Sequence, residues 1–124
     1  MKNERPVNLA LTKFSFPLAA ISSITHRITG VVLFVAIAYL QWLLGLALDS
    51  PAGFAEAQDV LAAPLPKLVL LAVLAALAFH FFAGLKHLVM DFHMWDSIEA
   101  GRRSSATIFA LTLVCVVLAG VWLW

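Results

Sequence analysis

The sequence predicts an all-α integral membrane protein with three transmembrane helices, its N-terminus cytoplasmic and its C-terminus periplasmic. Three observations carry that reading. The 124 residues are 63% hydrophobic and only 12% charged, with a mean hydropathy of +0.98. A soluble domain of this length could not bury so much apolar surface. Uncharged runs occupy Ile28 to Leu48, Leu68 to Leu85 and Ala106 to Trp124, each close to the roughly 20 residues that cross a hydrocarbon core as helix. Finally, seven of the eight basic residues fall on one side of this three-span arrangement, the side that becomes cytoplasmic. Helices are required because lipid offers no partner to free backbone groups. The strand alternation of a membrane barrel is absent.

The chain reads as one domain, 1–124, without repeats. Residues 1–21 form a cytoplasmic arm that contains Lys2, Arg5 and Lys13. It has no compact apolar stretch of the signal-peptide kind and no transit-peptide composition. Pro17 suits a helix start, and the first span is expected over about 22–48. The outer connection, DSPAGFAEAQDVLAAPLP, opens on Ser50-Pro51, a cap followed by a first helical position. A short surface helix is expected there, ended by Pro64 and Pro66. The second span is expected over about 67–90 and the third over about 105–124. Between them DFHMWDSIEAGRRSS reads as a polar interfacial connection anchored by Phe92 and Trp95. Trp42, Trp122 and Trp124 fall near the outer interface, where amphipathic rings settle. Cys115, the single cysteine, sits in the third span and reads as inert packing.

The polar residues inside this apolar frame need a reason. His80 lies within the second span, roughly 9 Å of helix rise from Lys86. Ionisable groups at such depth face protein or a cavity and usually mark function. A neutral histidine bonded to a neighbouring helix is the structural alternative. His80, Gly84 and His87 share one helical face. The glycine admits either a flat ligand or another helix. Imidazole is a good axial ligand for haem iron, and its other nitrogen can take an orienting hydrogen bond. In the stretch SITHRITG, residues 23–30, Ser23, Arg27 and Gly30 share a face. His26, Arg27, Lys86 and His87 then gather at one depth, suited to haem carboxylates, although Arg27 and Lys86 also serve as simple positive-inside markers. Ser23 and Arg27 offer donors to quinone carbonyls, and His26 can relay a proton.

These residues resemble the cytochrome b membrane-anchor subunit of bacterial succinate dehydrogenase, over nearly the whole chain. The similarity runs through RPVNL, SITHRITG, SPAGF, HFFAGLKHLVMDF and EAGRRSS. The resemblance implies a subunit of an enzyme complex that oxidises succinate at a flavin and passes electrons through iron–sulfur clusters to ubiquinone. FAD and the clusters belong to partner flavoprotein and iron–sulfur subunits. A second membrane anchor shares a haem b with this chain and supplies the other axial histidine. By motif position His80 looks like the axial ligand here, and His26 and Arg27 match groups near the haem propionates, the region where depth also puts His87 and Lys86. Ser23, Arg27, Ile24 and Phe16 belong to the quinone site. Lys86 stands where the family usually has arginine, so the charge is kept and the bidentate fork is not. The location implied is the bacterial cell inner membrane, as a multi-pass protein. Two other readings differ: the anchor of a fumarate reductase running in the opposite direction, and a transport or channel subunit with His80 in a proton path. The last would need further ionisable groups in mid-span, and the first and third spans carry none.

Overall fold

The computed structural model describes residues 10–13, 15–95 and 97–124. The arm motif RPVNL lies outside the described residues. After a short 3-10 turn at Leu11–Lys13, four α-helices follow: α1 Leu18–Asp49, α2 Pro51–Ala62, α3 Pro64–Asp91 and α4 Ile98–Leu123. Of these, α1, α3 and α4 are long and apolar enough to cross a membrane.

The helix boundaries follow from local chemistry. The carbonyl of Pro17 accepts from the amides of Ala20 and Ile21, which sets the first turn of α1. At the far end Pro51 has no N–H to continue the helix and forces the preceding residue into an extended conformation. Ser50 obeys, with φ −164° and ψ 165°. Its hydroxyl then accepts from the Gly53 amide at 3.0 Å, so the residue that ends α1 also caps α2. Pro64 repeats the device between α2 and α3. It ends the short helix, as expected, but Pro66 does not break anything. Both prolines fall in the first turn of α3, where the missing N–H groups have no intrahelical partner to lose.

Gly53 is needed at the α1–α2 corner. A Cβ there would overlap the carbonyl oxygen of Leu46, and that atom is backbone that cannot swing aside. Gly53→Ala is expected to destabilise the corner by about 1–3 kcal/mol, read as a lower thermal midpoint of the purified assembly.

α4 begins well before the expected third span. Residues 98–104 were expected in a polar connection, yet they are helical. The Ser97 hydroxyl caps the Ala100 amide at 3.1 Å. Glu99, in the positively polarised first turn, pairs with Arg102 at 3.0 Å and Arg103 at 2.8 Å. These i,i+3 and i,i+4 pairs suit a helix. The turn before it is tight: His93 and Trp95 adopt left-handed backbone, with φ of 57° and 66°.

α3 packs against both α1 and α4. Among the described residues the core is narrow and built largely from small side chains: Ala36, Ala57, Ala76 and Ala83 are buried beside Leu43, Val73, Phe79 and Ile108. Small residues allow helices to approach closely where lipid removes the hydrophobic drive for packing. Phe79, Ala83 and Ile108 form one cluster, with Phe82 and Phe109 packed against it. The outside is apolar, as at Phe34 (77% exposed) and Val121 (76%). Such a surface suits acyl chains and not water. The antiparallel succession puts Arg27, Lys86, Arg102 and Arg103 at one end of the bundle. At the other, the Lys67 ammonium lies 5.5 Å from the centre of a Trp124 ring.

Candidate functional site

The α1–α3 interface holds three of the four histidines. His26 and His80 stack, with ring centres 4.2 Å apart and planes 22° from parallel. His87 lies 5.1 Å from His26, tilted by 47°. The i, i+7 relation of His80 and His87 places both on the α1 side of α3, and one α1 residue meets both.

His80 is held by one nitrogen. Its Nδ1 lies 3.1 Å from the His26 carbonyl oxygen and 3.2 Å from Thr29 Oγ1. The Thr29 hydroxyl gives its proton to the same carbonyl, at 2.9 Å. A carbonyl can only accept, so in the neutral ring Nδ1 carries the proton and Nε2 keeps its lone pair. A histidine fixed in this way is prepared to ligate a metal through Nε2, because the bond at Nδ1 sets both ring orientation and tautomer. The deep histidine is therefore bonded to a neighbouring helix through Nδ1, and its Nε2 keeps a lone pair.

Gly30 makes the contact possible. A Cβ at this position would stand 3.2 Å from His80 Cε1 and 3.7 Å from Nδ1. Gly30→Val is expected to push the imidazole off its carbonyl and cost about 1–3 kcal/mol, seen as a lower thermal midpoint of the assembly. Gly30→Ala, whose neighbour need yield only a few tenths of an ångström, should cost less. The space beside Gly84 is occupied by α1: His26 Nε2 is 3.8 Å from a Cβ built there. That nitrogen is buried and has no hydrogen-bond partner among the described residues. Buried polar atoms are rarely left unpaired. The tied His80 ring, its untied Nε2 and the orphaned His26 nitrogen fit a haem and its polar edge.

The structure divides the remaining candidates. Arg27 is exposed, Ser23 is half-buried, and Ile24 and Phe16 are 51% and 49% exposed. They lie on or just before the first turns of α1, on an open face. Lys86 is not brought to the histidines. Its ammonium donates to Ser105 Oγ at 2.7 Å, across the α3–α4 interface. One residue along a helix turns the side chain by about 100°, so Lys86 faces α4 while His87 faces α1. Ser105 is wholly buried and passes its own proton to the Gly101 carbonyl at 2.8 Å. Sequence reasoning missed the contacts of Thr29, Gly30 and Ser105, although it put Gly30 on the face of Ser23 and Arg27. The first two stand inside SITHRITG, one on either side of the contact with His80, and their small size was the available signal.

Residues 1–119 match the model of a family described as the succinate dehydrogenase/fumarate reductase transmembrane subunit. The chain is 45% identical to a succinate dehydrogenase cytochrome b556 subunit of Coxiella burnetii, over 100% of both chains. It is 38% identical to the subunit of that name from Paracoccus denitrificans, over 94% of this chain and 90% of the relative. The corresponding Rickettsia felis protein is 31% identical over 98% and 92%.

Proposed function

Because the chain belongs to the succinate dehydrogenase/fumarate reductase transmembrane-subunit family, we propose that it is the haem b-carrying anchor of a succinate:ubiquinone oxidoreductase. The observation that carries this reading is the His80 ring, tied at Nδ1 to the His26 carbonyl and untied at Nε2. His80 would hold the iron through Nε2, and a histidine of a second membrane anchor would hold it from that subunit. When bound, haem b offers a one-electron centre within the membrane. His26, Arg27 and His87 would receive its carboxylates, with the guanidinium as the fork-shaped partner. Lys86 faces α4 instead and gives one hydrogen bond to Ser105, away from this set.

Ser23 and Arg27 form this chain's share of the ubiquinone site, with Ile24 and Phe16 as its apolar wall. They donate to the quinone carbonyls, and His26 stands one residue from Arg27 to pass a proton. The open face on which they lie needs a neighbouring subunit to close it into a pocket. The basic end of the bundle faces the cytoplasm, where the iron–sulfur subunit docks and the flavoprotein follows it. The location is the bacterial cell inner membrane. Relatives named for succinate dehydrogenase favour succinate oxidation over the reverse reaction.

The test is to solubilise membranes, purify through a tag on this chain, identify the co-purifying subunits by mass and record a reduced-minus-oxidised spectrum. The expected result is a flavoprotein, an iron–sulfur protein, a second small membrane protein and a b-type haem reducible by succinate. A preparation with no pigment and no succinate-dependent quinone reduction contradicts the proposal.

A further inference from the structure

Lys86 is the one buried charged side chain among the described residues, 7% exposed. The haem and quinone readings leave it without a task. Its ammonium has three protons to donate, and one goes to Ser105. No protein acceptor among the described residues takes the other two. An ammonium buried at membrane depth with unspent donors is costly unless something anionic meets it.

The surroundings indicate what that is. Lys86 lines a groove of about 370 Å³ between α3 and α4, with Phe82, Val89, Trp95, Ser104 and Leu111. Trp95, in its left-handed backbone, stands at the polar end beside Ser104 and Thr107. A bulky residue in that conformation persists where its surroundings over-determine it. At the other end Phe82 is shared with a second groove of about 440 Å³, lined by Leu74, Leu77, Phe81, Cys115 and Ala119. From Ser104 to Ala119 the two grooves extend for about 22 Å of helix rise, longer than one ~15 Å leaflet. One end is cationic and hydroxyl-bearing, and the rest is hydrocarbon.

We propose that the α3–α4 groove is a specific phospholipid site, with the phosphodiester against the Lys86 ammonium and an acyl chain lying past Phe82 toward Ala119. A basic pocket between helices near the interface, continuous with an apolar furrow, matches a glycerophospholipid in charge and in shape. A lysine ammonium meets a phosphate as a point charge. The site lies on a different face of α3 from the histidines, about 100° round the helix from His87, and does not depend on the haem assignment.

The experiment uses the complete complex, purified with its partner subunits and stripped of loosely held lipid by detergent. Native mass spectrometry then follows titration with phosphatidylglycerol, with diacylglycerol (the same tails without the phosphate) and with inorganic phosphate. The wild-type complex is expected to hold one phosphatidylglycerol at least tenfold more tightly than diacylglycerol, and inorganic phosphate should not displace it. Lys86→Met should remove that tenfold preference, and Lys86→Arg should restore it. Ala119→Phe, which fills the tail groove and leaves the ammonium alone, should weaken binding of both lipids. If Lys86→Met does not assemble, Ala119→Phe decides: weakened retention supports the site and unchanged retention overturns it. The proposal is also overturned if wild type retains no lipid, if Lys86→Met keeps the preference, or if inorganic phosphate competes as well as the lipid does. Cross-linking of Lys86 to a carboxylate of a neighbouring subunit would overturn it too.

Discussion

A complex carrying His80→Ala is expected to assemble and to lose its low-spin b-type haem. The reason lies in how the side chain is held. Its Nδ1 is committed to the His26 carbonyl, with Thr29 beside it, and Nε2 is the nitrogen left to bind iron. Mutating an outer partner of a metal ligand typically costs 10–100-fold in metal affinity, so deleting the ligand itself should cost about 100-fold or more. The packing cost is smaller, since His80 is only half-buried. His26 and His87 lie close by but are poor replacements. His26 is pinned beside Gly84, and His87 stands nearly two turns further along α3. Recovery of the partner subunits at wild-type ratio, with the haem band gone, is the expected measurement. An unchanged band would place the ligand elsewhere.

Arg27→Ala has the second largest expected effect, on quinone turnover and not on succinate oxidation. Arg27 is exposed on α1 and makes no hydrogen bond among the described residues, so its removal should leave the fold intact. Hydrogen bonds to charged groups contribute about 1.5–3 kcal/mol, equivalent to a fall of roughly 10- to 150-fold in quinone reduction. Ser23→Ala removes a neutral donor and should cost less, about 2- to 10-fold by the same reasoning. In both variants electrons delivered to a soluble artificial acceptor should continue at the wild-type rate. Undiminished quinone turnover in Arg27→Ala removes that residue from the site.

Much of this was legible in the residues because membrane helices are written in plain terms. Long uncharged runs fix the spans, and Ser50-Pro51 and Pro64 fix two of the three connections. The depth of His80 follows from counting residues along one helix. What counting cannot supply is the neighbour that each face meets. Spacing separates Lys86 from His80 and His87 around α3, but only the packed bundle shows α4, and Ser105 in particular, lying against the lysine. The contact between Gly30 and His80 joins two helices far apart in sequence, so neither residue announces it alone. The early start of α4 is hidden in the residues for a different reason. EAGRRSS has the charge density of a loop, yet Ser97 and the ion pairs of Glu99 give it a capped first turn.

Whether His80 is the residue that meets the iron is tested most directly by an imidazole titration of a His80→Gly complex. Glycine empties the position, and free imidazole can enter the space that the side chain leaves. The expected result is a complex without low-spin b-type absorbance, which regains it saturably as imidazole is added. A His80→Gly complex that shows the full wild-type haem spectrum before any imidazole is present would contradict the account.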